Sequence, residues 1–312
     1  SRLGINLMNS EAGDVPTKEQ NGRAYLLLSL TALCWAANTI FGQLAVGEVS
    51  PMALVVLRWL GVLILLLVFA RGHIRRDWPV LRRHLVFVSA MGMLGFAGFN
   101  GLFYTAAHST TAVNMGILQG SIPMFVMIGA IVVLRTPVTA MQGVGVLATM
   151  VGVALVATGG EFARFAQLAV NHGDLLMIIA CALYAGYTVA LRRRPASSPL
   201  GLFTLMAAAA FVTALPMAVA EAAAGDFCWP TTMGWLIVTG VTLFPSFLAQ
   251  IFFIQGVEMI GPARAGVFVN LVPVFAAVLA VAFLNESFEA FHGVALGLVL
   301  GGIWLSERGK AG

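Results

Sequence analysis

The sequence predicts an all-α membrane protein, with ten transmembrane helices arranged as two inverted five-helix repeats. Three observations carry that expectation. Hydrophobic residues make up 60% of the 312 and charged residues only 10%, where a soluble domain would carry about 25% charge. The apolar residues gather in stretches of about 20, the length at which a helix rising 1.5 Å per residue crosses a ~30 Å hydrocarbon core. Finally, residues 96–155, slid by 150 positions without a gap, fall on 246–305 with paired prolines and glycines.

Each apolar stretch must be helical, because lipid offers its backbone no hydrogen-bond partner. The polar stretch 1–22 is expected to be a disordered tail. Span one then covers 24–45, and span two, 51–70, opens at Ser50-Pro51. Span three, 85–107, follows an arginine-rich connection. Span four is 111–134 and span five 138–158, which closes a first repeat of 23–159. The second repeat, 173–307, holds spans at 173–191, 199–220, 233–257, 262–284 and 288–306. Gly116, Pro123, Phe125, Leu134, Gly143, Val144 and Gly152 meet Gly266, Pro273, Phe275, Leu284, Gly293, Val294 and Gly302 in the overlay. Cys34 aligns with Cys181, and Ser50-Pro51 with Ser198-Pro199 after a one-residue slip. Five is odd, so the second half enters the membrane from the opposite side. Such inverted repeats are an architecture on which transporters build alternating access. The loops are too short for another domain. Cys34 and Cys181 fall in spans and Cys228 in a loop, so no disulfide framework is implied.

Lysine and arginine fix the expected orientation through the positive-inside rule. With the N-terminus in the cytoplasm, Arg2, Lys18 and Arg23 precede span one, and Arg71, Arg75, Arg76, Arg82 and Arg83 join spans two and three. Arg135, Arg192, Arg193, Arg194, Arg264, Arg308 and Lys310 also fall inside. Arg164 alone falls outside, and Arg58 lies within span two. Both termini are therefore expected in the cytoplasm. The basic pI of about 9.3 reflects this orientation and implies no nucleic-acid partner.

Cys34-Trp35-Ala36-Ala37-Asn38, Ser50-Pro51 and Leu57-Arg58-Trp59 resemble the opening of an EamA-type member of the drug/metabolite transporter superfamily. Tyr104-Thr105-Ala106-Ala107 through Ile122-Pro123 resembles that family's third-to-fourth span signature. Gly261-Pro262-Ala263-Arg264 through Leu271-Val272-Pro273, then Leu284-Asn285-Glu286, repeats it. The resemblance covers essentially 24–306, and among relatives is nearest to YddG-type exporters of aromatic and other neutral amino acids. It implies export of small metabolites, amino acids first, across a bacterial inner membrane. One departure is visible: the family often places Glu at the end of span four, where this chain has Arg135, while the second repeat keeps Glu286.

Polar groups inside spans are expensive and usually face a bundle interior or cavity. Asn100 and Tyr104 are four apart on one face of span three. Gln250 is the repeat counterpart of Asn100, Ser246 lies four residues before it, and Gln119 lies one residue from the counterpart of Asn270. These are candidate substrate-binding residues, the alternative being interhelical glue at about 0.6–2 kcal/mol. Trp35 and Asn38 of span one, with Tyr184 and Tyr187 of span six, are candidates for an aromatic wall. They lie roughly 16 Å along their helices, too deep for an interfacial belt, and core packing is the alternative. Such walls suit amino acids and organic cations. Pro123, Pro273 and Pro245 are expected to kink spans four, nine and eight. For Arg58, pairing with carbonyls or snorkelling is weighed against a substrate carboxylate.

No Asp or Glu falls in the middle of a span, where a proton relay or sodium site would usually need one. There is no phosphate-binding glycine loop, no Gly-x-Ser-x-Gly and no His-Glu-x-x-His. A monomeric, gradient-driven carrier of small molecules is expected, with no catalytic residue, cofactor or metal. Efflux of drugs or organic cations is the alternative within transport, and a membrane enzyme or channel the alternative outside it.

Overall fold

The computed structural model describes residues 18–135, 139–161, 171–260 and 262–309. Their regular elements are all helices joined by short loops, with no strand among the described residues. The first half holds α1 Lys18–Leu44, α2 Pro51–Phe69, α3 Arg71–Leu81, α4 Leu85–Gly92, α5 Phe99–Ala106, α6 Ala112–Gln119, α7 Ile122–Leu134 and α8 Ala140–Ala157. The second holds α9 His172–Ala190, α10 Pro199–Ala224, α11 Thr232–Val241, α12 Ala249–Ile260, α13 Pro262–Val269, α14 Val272–Leu284 and α15 Ala290–Arg308. Among the described residues nine helical stretches are long and apolar enough to cross a membrane, and Ala290–Ser306 is a shorter tenth. Large apolar side chains such as Phe69, Val132, Leu147, Val219 and Phe283 are exposed on the bundle's outside. In water such a surface would be a liability. In lipid it is the favoured one.

α1 begins at Lys18, so the expected tail of 1–22 overlaps its first turn, and residues 1–17 lie outside the described residues. Arg164 lies outside them too. The arginine-rich connection between spans two and three contains a helix of its own, α3. Its charged face is exposed while Asp77 and Leu81 are buried.

The overlay of the two halves reappears as geometry. Span three joins α4 to α5 through a π-helical segment at Met93–Gly98, and span eight joins α11 to α12 through another at Thr242–Leu248. A π-turn carries one residue more than an α-turn and frees a carbonyl from the ladder. Pro245 sits in the second segment, where the ladder is already interrupted. Spans four and nine break into half-helices, α6 then α7 and α13 then α14. Pro123 and Pro273 stand in the first two positions of α7 and α14. The expected mid-helix kinks at these two prolines are therefore corrected. Each starts a helix, where its missing N–H falls among donors that have no partner in any case. α7 and α14 then end alike, at Arg135 (φ 53°) and Asn285 (φ 52°) in the left-handed region.

The halves interlock. α8 lies along α15, α1 along α12 and α14, and α2 along α10. Each half also caps the other. Both carboxylate oxygens of Glu221, from the second half, accept from Met52 N (3.2 Å) at the start of α2. Asp77, from the first half, accepts from Ser198 N (2.8 Å) and the Ser198 hydroxyl at the start of α10. A negative group at a helix N-terminus meets unsatisfied N–H donors and the positive end of the dipole.

Candidate functional site

The polar residues of α1, α2, α5 and the second π segment converge on Arg58. Its Nε donates to Ser246 Oγ at 2.7 Å. Its Nη1 donates to Asn38 Oδ1 at 3.0 Å, to Asn100 Oδ1 at 2.8 Å and to the Tyr104 hydroxyl. Tyr104 donates onward to Asn38 Oδ1 at 2.9 Å, and Asn100 Nδ2 donates to Phe96 O at 2.7 Å. The guanidinium also lies 5.5 Å from the Trp59 ring centroid. Arg58 is only 6% exposed, so snorkelling to the interface is excluded.

This cluster forms part of the wall of a chamber of about 140 Å³ between the two halves. Of the ten candidates, Trp35, Asn38, Asn100, Gln119, Tyr184, Ser246, Gln250 and Asn270 line it. Tyr104 stands behind the wall, buried against Arg58. Tyr187 lines a wider vestibule of about 860 Å³, which shares Trp35, Pro123, Tyr184, Gln250 and Asn270 with the chamber. Trp35 is held in place by its indole N–H, which donates to Pro245 O at 3.1 Å within the π segment. The repeat-related break in spans four and nine delivers Gln119, Pro123, Asn270 and Pro273 to the same space. Sequence reasoning missed the other aromatic wall. Trp59 stacks on Phe96 (centroids 4.6 Å apart, planes 5° apart), and Phe203 meets both rings edge-on. Trp59 adjoins Arg58 in the signature quoted above, but phenylalanines in an apolar span carry no signal of their own.

The vestibule reaches the end of the bundle that carries the last turn of α15. Gln142, Arg192, Arg194, Glu258 and Ser306 line it there. The opposite end is held by polar contacts. Glu286 accepts from Ala112 N (2.8 Å) and Val113 N (2.9 Å), closing the 285–289 loop over the start of α6. In the overlay, the position of Ala112 is taken by Pro262, which has no N–H to offer. Asp174, 1% exposed, accepts from the Thr110 hydroxyl and from Asn114 Nδ2 (3.1 Å). Glu289 N donates to His292 Nδ1, so that nitrogen is the acceptor and Nε2–H donates to Asn114 Oδ1 at 3.1 Å. The sequence shows no partner for His292, because Asn114 is 178 residues away. Among the described residues no group of three His, Cys, Asp or Glu side chains could hold a metal ion.

Among the described residues, nine membrane-length apolar helical stretches and a shorter tenth enclose a chamber, which defines a multi-pass membrane protein. The EamA-like transporter family matches residues 22–158 and 171–308, and the chain belongs to that family. It is 28% identical over 300 residues to the uncharacterised transporter YetK of Bacillus subtilis (strain 168), covering 95% of this chain and 90% of that one. It is 26% identical to the uncharacterised transporter YyaM of the same organism, over 89% of this chain and 92% of that one. The uncharacterised inner membrane transporter YedA of Escherichia coli (strain K12) is 22% identical, over 89% and 88%. A solved crystal structure, 19% identical, superposes with a TM-score of 0.61 over 93% of this chain and 99% of its own, and so shares the fold.

Proposed function

We propose that this transporter exports small metabolites, amino acids foremost, across the bacterial inner membrane by alternating access. One observation carries the reading. A chamber built jointly by the two repeats is continuous with a vestibule at one end of the bundle and is closed by polar contacts at the other. This is the shape expected of one half of an alternating-access cycle. Aromatic rings for an apolar side chain and amides for a polar head stand within that one space, which suits a solute with both. The arginine distribution supports cytoplasmic termini. With that orientation the vestibule faces the cytoplasm, where a cargo for export is loaded.

The test is uptake into proteoliposomes with a panel of labelled amino acids set beside organic cations. Saturable flux of neutral amino acids is expected. Flux of cations alone would support drug efflux, which the rings around Trp35 and Tyr184 favour through cation–π contact. Currents in planar bilayers at rates no carrier reaches would replace both readings with a channel.

A further inference from the structure

We propose that Arg58 and Asn38 form a carboxylate subsite in the wall of the chamber, so that the cargo must bring an anionic group with it. The inference rests on the transport reading above and narrows its substrate class.

Arg58 is a buried cation whose hydrogen bonds go only to neutral groups: Ser246, Asn38, Asn100 and Tyr104. Among the described residues no carboxylate pairs with it, the one ion pair being Arg76–Asp77. No Asp or Glu lines the chamber either. An arginine taken out of water without a counter-charge is expensive. A residue kept only as glue would be expected to use the whole of its fork. Here Nε and Nη1 are engaged, while Nη2 enters no hydrogen bond among the described residues, although Arg58 lines the chamber. The neutral bonds hold the guanidinium in a fixed orientation and leave two N–H donors for a ligand. Asn38 contributes in the same sense. Its Oδ1 is occupied by Arg58 and Tyr104, so its remaining hydrogen-bonding group is the Nδ2 donor. The indole N–H of Trp59, next along the same wall, is buried without a partner. The wall thus has donors to spare and no spare acidic acceptor, which is the chemistry of an oxyanion site. A planar carboxylate matches a guanidinium fork held in this way.

The approach fits as well. Among the described residues that line the vestibule, Arg192 and Arg194 outnumber the one acid, Glu258, so this part of the route carries a net positive potential that draws anions inward. Bare organic cations meet the reverse. The rings and amide oxygens of Trp35, Tyr184, Gln119 and Gln250 remain for the rest of the solute.

The experiment uses the full chain in proteoliposomes and compares matched compounds. Labelled neutral amino acids are set against their primary amides and against the corresponding decarboxylated amines. The acids are expected to be preferred at least tenfold in flux at low concentration. A charge-assisted hydrogen bond against a neutral one sets that scale. In Arg58→Gln the acid-to-amide ratio is expected to fall towards one, and in Arg58→Lys to recover in part, a pattern that a merely structural role would not produce. Should Arg58→Gln fail to fold, the wild-type ratio still decides. Amides or amines carried as well as acids overturn the subsite and leave transport standing. No saturable flux of any compound in the panel overturns the amino-acid export reading, and the subsite falls with it.

Discussion

Asn100 and Gln250 occupy equivalent positions in the two repeats and line the same chamber, yet their surroundings differ. Asn100 is 3% exposed, accepts from Arg58 and donates to Phe96 O. Gln250 is half-buried and its side chain makes no hydrogen bond among the described residues. The same truncation should therefore separate folding from binding. Asn100→Ala removes an acceptor of a buried cation, and a loss of about 1–3 kcal/mol is expected along with flux. Gln250→Ala should leave stability within about 0.5 kcal/mol and lower flux alone. Thermal unfolding in detergent beside proteoliposome flux reads both. If both variants lose stability and keep specific activity, the amides are glue. The pairing of these amides was legible in the sequence, because a polar residue inside a span has few reasons to be there. What they bond was not, since Asn38, Arg58, Asn100 and Ser246 reach one another across as many as 188 residues.

At the scale of elements, the repeat is clearest where backbones approach most closely. A Cβ added at Gly145 of α8 would collide with the Gly302 carbonyl of α15, and one at Gly302 with the Gly145 carbonyl. A Cβ at Gly152 would meet the Ala295 carbonyl at 2.9 Å. The 150-residue shift carries Gly145 onto Ala295 and Gly152 onto Gly302, so these are two copies of one contact about the pseudo-two-fold axis. Gly145→Val should then destabilise by about 1–3 kcal/mol or more through overpacking. Gly297→Ala, with nothing within 4 Å of its added Cβ, should be neutral or stabilise by up to about 1 kcal/mol. Monodispersity and unfolding temperature of the purified variants check the contrast, and equal behaviour would remove glycine contact as the basis of this interface. Span number and repeat period were legible because lipid forces helices and a duplication preserves spacing. The half-helix breaks and the π segments were not. Hydropathy passes smoothly through Gly120-Ser121 and Asn270-Leu271, and a proline looks alike in a kink and at a helix start.

For the whole molecule, the placement of its carboxylates bears on what drives net movement. Among the described residues no carboxylate or histidine lines the chamber, so no group there is suited to trade a proton for the proposed cargo. The nearest carboxylates among the described residues lie at the ends. Glu258 lines the vestibule at one end. At the other, Asp174 and Glu286 hold the closed end through Thr110, Asn114 and the first N–H groups of α6. In the proposed alternating-access cycle, opening that end would break these contacts on every turn, whichever way cargo moves, so they would set the balance between the two open forms without choosing a direction. A solute abundant on one side leaves down its own gradient through such a device. The expected result in proteoliposomes is therefore exchange and downhill flux, with no net accumulation when a pH gradient is imposed and the substrate gradient is zero. Asp174→Asn should weaken the closed end and change the rate of downhill flux while leaving that null result intact. Accumulation that collapses with a protonophore, and disappears in Asp174→Asn or Glu258→Gln, would instead make one of those carboxylates the site where proton and cargo are coupled.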